Sequence, residues 1–143
     1  MGLFRKGYVN VSSSTDAIPI TFEVRKTVSE SALPFGFVEV FVPNATSAVA
    51  ILENDPNLYE EYKKWIETQV PANNEKRPDR RSGSGRSFAH IRAQKVGQFV
   101  VLPIAEGKLQ IGNWQEIVFF DFDDKVSRRE YYIIASGEAA ATK

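Results

Sequence analysis

Between Pro103 and Ile117 the chain reads P-I-A-E-G-K-L-Q-I-G-N-W-Q-E-I. Glycine accepts φ > 0 without steric cost, so Gly107 and Gly112 mark turns or close approaches of backbone. Between them Leu109 and Ile111 alternate with polar residues, and from Ile117 to Phe122 runs a near-continuous hydrophobic strand. Turn chemistry accounts for the glycines. It does not account for an amphipathic ring and an amide, Trp114-Gln115, placed directly after the second one.

The rest of the chain fills out a fold rich in strands. Leu3 to Val11 is β-prone and ends in Ser12-Ser13-Ser14. Ile18, Ile20, Phe22 and Val24 alternate with polar residues, a strand period. Phe35–Val42 and Thr46–Leu52 read as buried strands rich in valine and phenylalanine. Asp55-Pro56 starts a helix: the carboxylate accepts from free first-turn amides, and proline already has the helical φ. Leu58, Tyr62, Trp65, Ile66 and Gln69 follow at helical spacing, with Glu60 and Lys64 set for an i,i+4 ion pair, and Val70-Pro71 ends the element. Residues 72–88 hold Asn73-Asn74, Pro78 and Ser82-Gly83-Ser84-Gly85, a long loop. Loops beyond about 12 to 15 residues in a small domain are usually functional or disordered. A short polar turn or helix near Ala89–Lys95 follows. Then come strands over Gln98–Ile104, through Phe122, and over Glu130–Ser136. With no βαβ rhythm, the order predicts an α+β domain: antiparallel β-sheets packed as a sandwich, with one or two flanking helices.

Bulk properties narrow the function. At 143 residues the chain is the size of one domain, 1–143. Eighteen Lys and Arg balance eighteen Asp and Glu, so no global field draws it to nucleic acid or an anionic membrane. There is no cysteine, which removes disulfides, thiolate metal sites and cysteine nucleophiles. No apolar run approaches the roughly 20 residues that span a bilayer. The start, Met1 to Lys6, lacks the order of a secretory signal, so a cytoplasmic protein is expected.

The run P-I-x-x-G-x-L-x-[LI]-G-x-W-Q-x-I resembles the hallmark of the YjbQ-like, or UPF0047, family, and the likeness extends from about Lys6 to Gly137. The resemblance implies a helix over about Phe22–Ser31, so the alternating segment there reads as a short strand running into a helix. It further implies a compact homotrimer with pockets near the subunit boundaries. It also carries a link to thiamine-phosphate synthase activity, the joining of a pyrimidine pyrophosphate to a thiazole phosphate. Both are phosphorylated heterocycles.

His90, the only histidine, lies in Phe88-Ala89-His90-Ile91, similar to the family's A-H-[IL] element, whose histidine lines a pocket. Two further family histidines fall at Asn44 and Asp79. Three imidazoles make a good zinc site, whereas an amide, one carboxylate and one imidazole do not. The set His90, Asp79 and Asn44 would suit an oxygen-preferring divalent ion, or none. Glu53-Asn54 keeps the family's Glu-Asn pair. The resemblance makes Glu53 a pocket carboxylate and, with His90, a candidate for proton transfer; the plainer reading is support for the helix start at Asp55. The convergence of Asn44, Glu53 and His90 on one cavity is the expectation on which this assignment rests.

Lys76, Arg77, Arg80, Arg81, Arg86 and Arg92 crowd a short span. They read either as a solvated loop or as a phosphate grip, since arginine forks bind phosphate oxygens in pairs. The glycine-rich piece lacks the G-K-[ST] ending of a P-loop. Arg128-Arg129 resembles the family's paired arginines and can face an anion or an inter-subunit carboxylate. Trp114 and Gln115 sit near the pocket by resemblance, or in the core by the usual habit of tryptophan. Glu53, Asp121, Asp123 and Asp124 are candidates for general acid or base work, although Asp123-Asp124 beside Lys125 reads as a solvated turn. Candidate ligand contacts are therefore Asn44, Asn54, Arg86, Trp114, Gln115 and Arg129. Two functions fit: an enzyme of phosphorylated heterocycles, or a non-catalytic homotrimer binding a small anion or phosphorylated ligand.

Overall fold

Most strands bury one face, and the one that carries the run from Ile117 is buried on both. A computed structural model describes residues 1–12, 15–72 and 87–139. In chain order its elements are β1 (Gly2–Val11), β2 (Asp16–Pro19), α1 (Thr21–Ser31), β3 (Phe35–Phe41), β4 (Ser47–Glu53) and α2 (Pro56–Gln69). They continue with α3 (Ser87–Val96), β5 (Phe99–Ala105), β6 (Lys108–Leu109), β7 (Gln115–Asp121) and β8 (Ser127–Glu138). Five strands form one sheet in the order β1-β8-β3-β5-β6, and three form another in the order β2-β7-β4. All their pairings are antiparallel.

The three-stranded sheet is the middle layer. On one face Ile117 and Phe119 of β7 and Val49 of β4 pack with Val38, Val40, Leu102, Tyr131 and Ile133 of the larger sheet. On the other, Val118, Phe120 and Ala48 pack against Tyr59 and Ile66 of α2 and Phe88, Ala89 and Ala93 of α3. A strand covered on both faces needs no polar alternation, hence the unbroken run from Ile117 to Phe122. The α+β sandwich expected from the sequence is present, with three helices among the described residues.

Helix starts follow local chemistry. Asp55 caps α2, its Oδ1 accepting from the Asn57 amide at 2.9 Å, with Pro56 in the first turn. No side chain caps α1 at Ile20. Its entry is tied instead to β7: the Ile20 amide donates to the Ile117 carbonyl at 2.8 Å, and the Ile117 amide donates to Thr21 Oγ1 at 2.8 Å. The alternating segment from Ile18 thus pairs as β2 only to Pro19, then turns helical. The expected ion pair in α2 is shifted by one position. Lys63, not Lys64, meets Glu60, at 2.8 Å, because Lys63 also donates to the Thr15 carbonyl and is held there.

Glu106 (φ 53°) and Gly107 (φ 73°) form the two-residue turn between β5 and β6, both with the positive φ that a tight hairpin turn requires. After β6 the chain crosses from the large sheet to the small one through Gln110–Trp114. That crossing is the structural work of the glycine-bracketed run. The outer face of the large sheet carries exposed apolar side chains: Phe4 and Tyr8 of β1, Phe35, Phe37 and Phe41 of β3, and Phe99 and Val101 of β5.

Candidate functional site

One end of the small sheet gathers the polar residues that the strand pattern leaves buried. Antiparallel register sets Ser47, at the start of β4, opposite Asp121, at the end of β7. Both are fully buried. Ser47 Oγ donates to Asp121 Oδ1 at 2.7 Å, and Arg129 Nε of β8 donates to the same oxygen at 3.1 Å. Arg129 Nη2 donates to Asp123 Oδ2 at 2.9 Å. The guanidinium thus bridges two carboxylates, and Asp121 Oδ2 has no hydrogen-bond partner among the described residues.

The two acids respond in opposite directions. Burial pushes the Asp121 carboxyl above its ordinary range, against the hydrogen bond from Ser47 and the charge of Arg129, while nearby Asp123 adds to the rise. Asp123 is held below its ordinary range: the Asp124 amide and Arg129 favour its ionised form and outweigh partial burial. Asp123 is therefore a working partner of Arg129 and not the solvated turn residue that the sequence pattern suggested, since the crossing of β8 brings the guanidinium over it.

Above this network lies a cavity of about 190 Å³ lined by Asn44, Ala45, Thr46, His90, Asp123, Lys125 and Arg129. His90 sits on α3 and is largely buried, 9% exposed. The turn before β4 is stiff. Asn44 Oδ1 accepts from the Thr46 amide at 2.9 Å and from Thr46 Oγ1 at 2.7 Å, while Gln98 Nε2 donates to the Asn44 carbonyl.

Sequence reasoning brought Asn44, His90 and Arg129 to the candidate site, and the cavity unites them. It placed Glu53 there too, and that expectation is corrected. Glu53 lies at the opposite end of β4, paired with Gln115, about 20 Å from Ser47 at strand rise. Asn54 goes with it, its amide donating to the Trp114 carbonyl at 2.6 Å. The Glu-Asn and Trp-Gln pairs therefore build one another's surroundings, away from His90 within the protomer. Trp114 is 75% exposed and does not pack in the core. Gln115 Oε1 accepts from the Gly112 amide at 2.9 Å, and Gln115 lines a separate cleft of about 350 Å³ with Thr21, Phe22, Arg25, Asn113 and Glu116. Arg86 and Asp79 lie outside the described residues. Arg92, counted with the loop cations, is buried, donates Nε to the Val70 carbonyl at 2.8 Å and stacks on Phe88.

The missed residues are Ser47 and Lys125; Asp121, a candidate acid or base by sequence, is held in the interior by Ser47 and Arg129. An aspartate closing a run of apolar strand residues was the available signal for Ser47, because an acid in such a place must find buried partners.

A divalent cation fits these side chains poorly. Asn44 Oδ1 already accepts two hydrogen bonds from Thr46, and Asp123 is committed to Arg129. Lys125 and Arg129 bring positive charge to the same cavity. Among the described residues no group of three His, Cys, Asp or Glu side chains is placed to hold a metal. No described helix is long and apolar enough to cross a membrane.

Comparison with known proteins settles kinship. The family model described as UPF0047 protein YjbQ-like matches residues 6–138. A UPF0047 protein of Archaeoglobus fulgidus is 32% identical over 121 residues, covering 85% of this chain and 92% of the relative. Another, from Methanocaldococcus jannaschii, is 30% identical over 134 residues, covering 93% and 94%. A crystal structure of a YbjQ-like protein of unknown function from Sulfolobus solfataricus superposes with a TM-score of 0.85 at 27% identity, covering 96% of this chain and 99% of that one. An uncharacterized conserved protein from Clostridium acetobutylicum gives 0.80 at 31% identity, covering 92% and 99%. Sequence and fold agree along almost the whole length, and the chain belongs to the YjbQ-like UPF0047 family, whose relatives named here are of unknown or uncharacterised function.

Proposed function

We propose that the cavity between Asn44, Thr46, His90, Lys125 and Arg129 binds a small phosphorylated or otherwise anionic molecule. The observation that carries this reading is Arg129: a guanidinium only 14% exposed at its side chain, fixed at the cavity wall by two carboxylates, with Lys125 and His90 alongside. A fixed fork keeps its remaining N–H groups oriented, and a pre-oriented donor loses little entropy on meeting phosphate. The charges of Asp121 and Asp123 offset much of the positive field, so the expected affinity is modest. The volume, about 190 Å³, is below the roughly 300 to 1,000 Å³ usual for drug-sized ligands. It suits one phosphate-bearing group better than two heterocycles held side by side.

Thiamine-phosphate synthase-type chemistry on phosphorylated heterocycles is the second reading. It is favoured by an imidazole, His90, at the wall of the same cavity. Glu53 has no part in it within one protomer.

We further propose that the chain works as a homotrimer joined through the outer face of the large sheet. Seven exposed apolar side chains there form the sort of surface that soluble proteins keep for partners.

Thermal melting with inorganic phosphate, pyrophosphate and the phosphorylated thiazole and pyrimidine, followed by product analysis, tests both ligand readings. A ligand that binds only the folded chain raises its melting temperature. The binding reading expects that rise in the natural chain and its loss in Arg129→Ala; an equal rise in both refutes it. The catalytic reading expects product that vanishes in His90→Ala, and fails if no product forms.

A further inference from the structure

We propose that Asp121 is a positioning residue, whose buried Oδ1 fixes the Arg129 guanidinium in the orientation that presents it to the cavity. The proposal rests on the reading of that cavity as an anion site. Asp121 is fully buried and is absent from the cavity lining, so it acts through another side chain. Its Oδ1 takes two donors, Ser47 Oγ at 2.7 Å and Arg129 Nε at 3.1 Å, while Oδ2 takes none among the described residues. A carboxylate kept for stability alone would spread its donors over both oxygens, because a buried polar atom without a partner is costly. Here both donors converge on the oxygen that faces Arg129.

The guanidinium is gripped from one side. Nε goes to Asp121 and Nη2 to Asp123, and among the described residues no hydrogen bond engages Nη1. Both Nη1 hydrogens are thereby left for a ligand. The other polar groups around Asp121 are Ser47 on β4, Asp123 after β7 and, at the register position across β2, Asp16. Asp16 is committed elsewhere, accepting from the Ser12 amide and hydroxyl. Arg129 is then the only cation bound to Asp121 among the described residues.

Asparagine and alanine at position 121 separate positioning from charge. Asparagine can keep an acceptor at the Oδ1 place, with its amide nitrogen at the place of the unpartnered oxygen; alanine keeps neither. The Arg129 Nε–H resonance, followed by nuclear magnetic resonance, should exchange at least about tenfold more slowly than a free guanidinium in the natural chain and in Asp121→Asn, and lose that protection in Asp121→Ala. Sulfate, whose charge does not change near neutral pH, should bind Asp121→Ala about tenfold more weakly and Asp121→Asn within about threefold of the natural chain. Protection and sulfate affinity retained in Asp121→Ala overturn the proposal. So does an unprotected Nε–H in the natural chain, a result that stands even if the alanine variant fails to fold. A natural chain that shows the protected Nε–H and ignores sulfate refutes the anion site instead, so the two failures are told apart.

Discussion

Asn44 Oδ1 holds Thr46 twice, through its amide at 2.9 Å and its hydroxyl at 2.7 Å. Asn44 is thus a turn former, shaping the chain just before β4. Asparagine does this well because its short side chain reaches the backbone two residues on. Asn44→Ala should lower the unfolding free energy by about 1 to 2 kcal/mol, the cost of leaving the Thr46 amide and hydroxyl without their acceptor. Urea unfolding measures it. A loss as small as that of an exposed substitution would show that the turn holds without the side chain.

Asp121 gives the chain a pH signature. Its carboxyl titrates above the ordinary value of 3.8 in the folded state, so over the window from that value upward the folded chain binds more protons than the unfolded one. Stability contributed by this group is then lost as pH rises through the window. Asp123, held below its ordinary value, does the reverse: its contribution is present above that value and is lost as pH falls. Asp121→Asn cannot titrate. Its stability relative to the natural chain should therefore improve steadily as pH is raised from 3.8 toward neutrality, measured by urea unfolding at several pH values. A difference that stays constant with pH would contradict the raised titration.

The strands were legible because each buries one face or both, and burial writes itself into the spacing of Val38 and Val40 or the unbroken run of β7. The start of α2 was legible because Asp55 and Pro56 act on their immediate neighbours. The site was only half legible. Asn44, His90 and Arg129 come together because β4, α3 and β8 begin at one side, whereas Glu53 follows Asn44 closely in sequence yet lies a full strand length away. Sequence proximity along a strand is distance in space, and only the strand's true extent reveals it. Asp121 stood out as an acid, but its partners did not, because Ser47 and Arg129 come from two other strands and long-range pairing leaves no local trace.

Trp114 is exposed although its backbone is pinned on both sides, by Asn54 to its carbonyl and by Gly112 to the next residue. A side chain 75% in solvent has little burial to lose. Trp114→Ala should change the stability of the isolated protomer by no more than about 0.5 kcal/mol. Gly137→Ala should do far more harm: a Cβ there would lie 2.2 Å from the Phe35 carbonyl oxygen across the β3–β8 pairing. Backbone cannot yield as a side chain can, so a loss of roughly 3 kcal/mol or more is expected. Thermal melting of the two variants decides it, and the order reversed would mean that Trp114 is packed after all.

The outer face of the large sheet makes the last prediction. Phe37 pairs in register with Pro103, and Phe41 with Phe99, so their side chains form one patch, which Phe4 and Tyr132 extend through a ring contact of 5.2 Å. Phe37 is 60% and Phe99 61% exposed in the protomer. Contact with another copy would remove that surface from water at about 25 cal/mol per Å². A carboxylate placed at the centre of such a contact would have to be desolvated without a partner, which costs far more than the lost ring contributes. In the lone protomer the same carboxylate stays in water and the core beneath, Val38, Val40 and Leu102, is untouched. Phe37→Asp and Phe99→Asp should therefore leave a folded chain and shift it from trimer to monomer, read as mass by light scattering on a sizing column. A trimer that survives both substitutions places the interface elsewhere, and a natural chain that runs as a monomer ends the idea of assembly through this face.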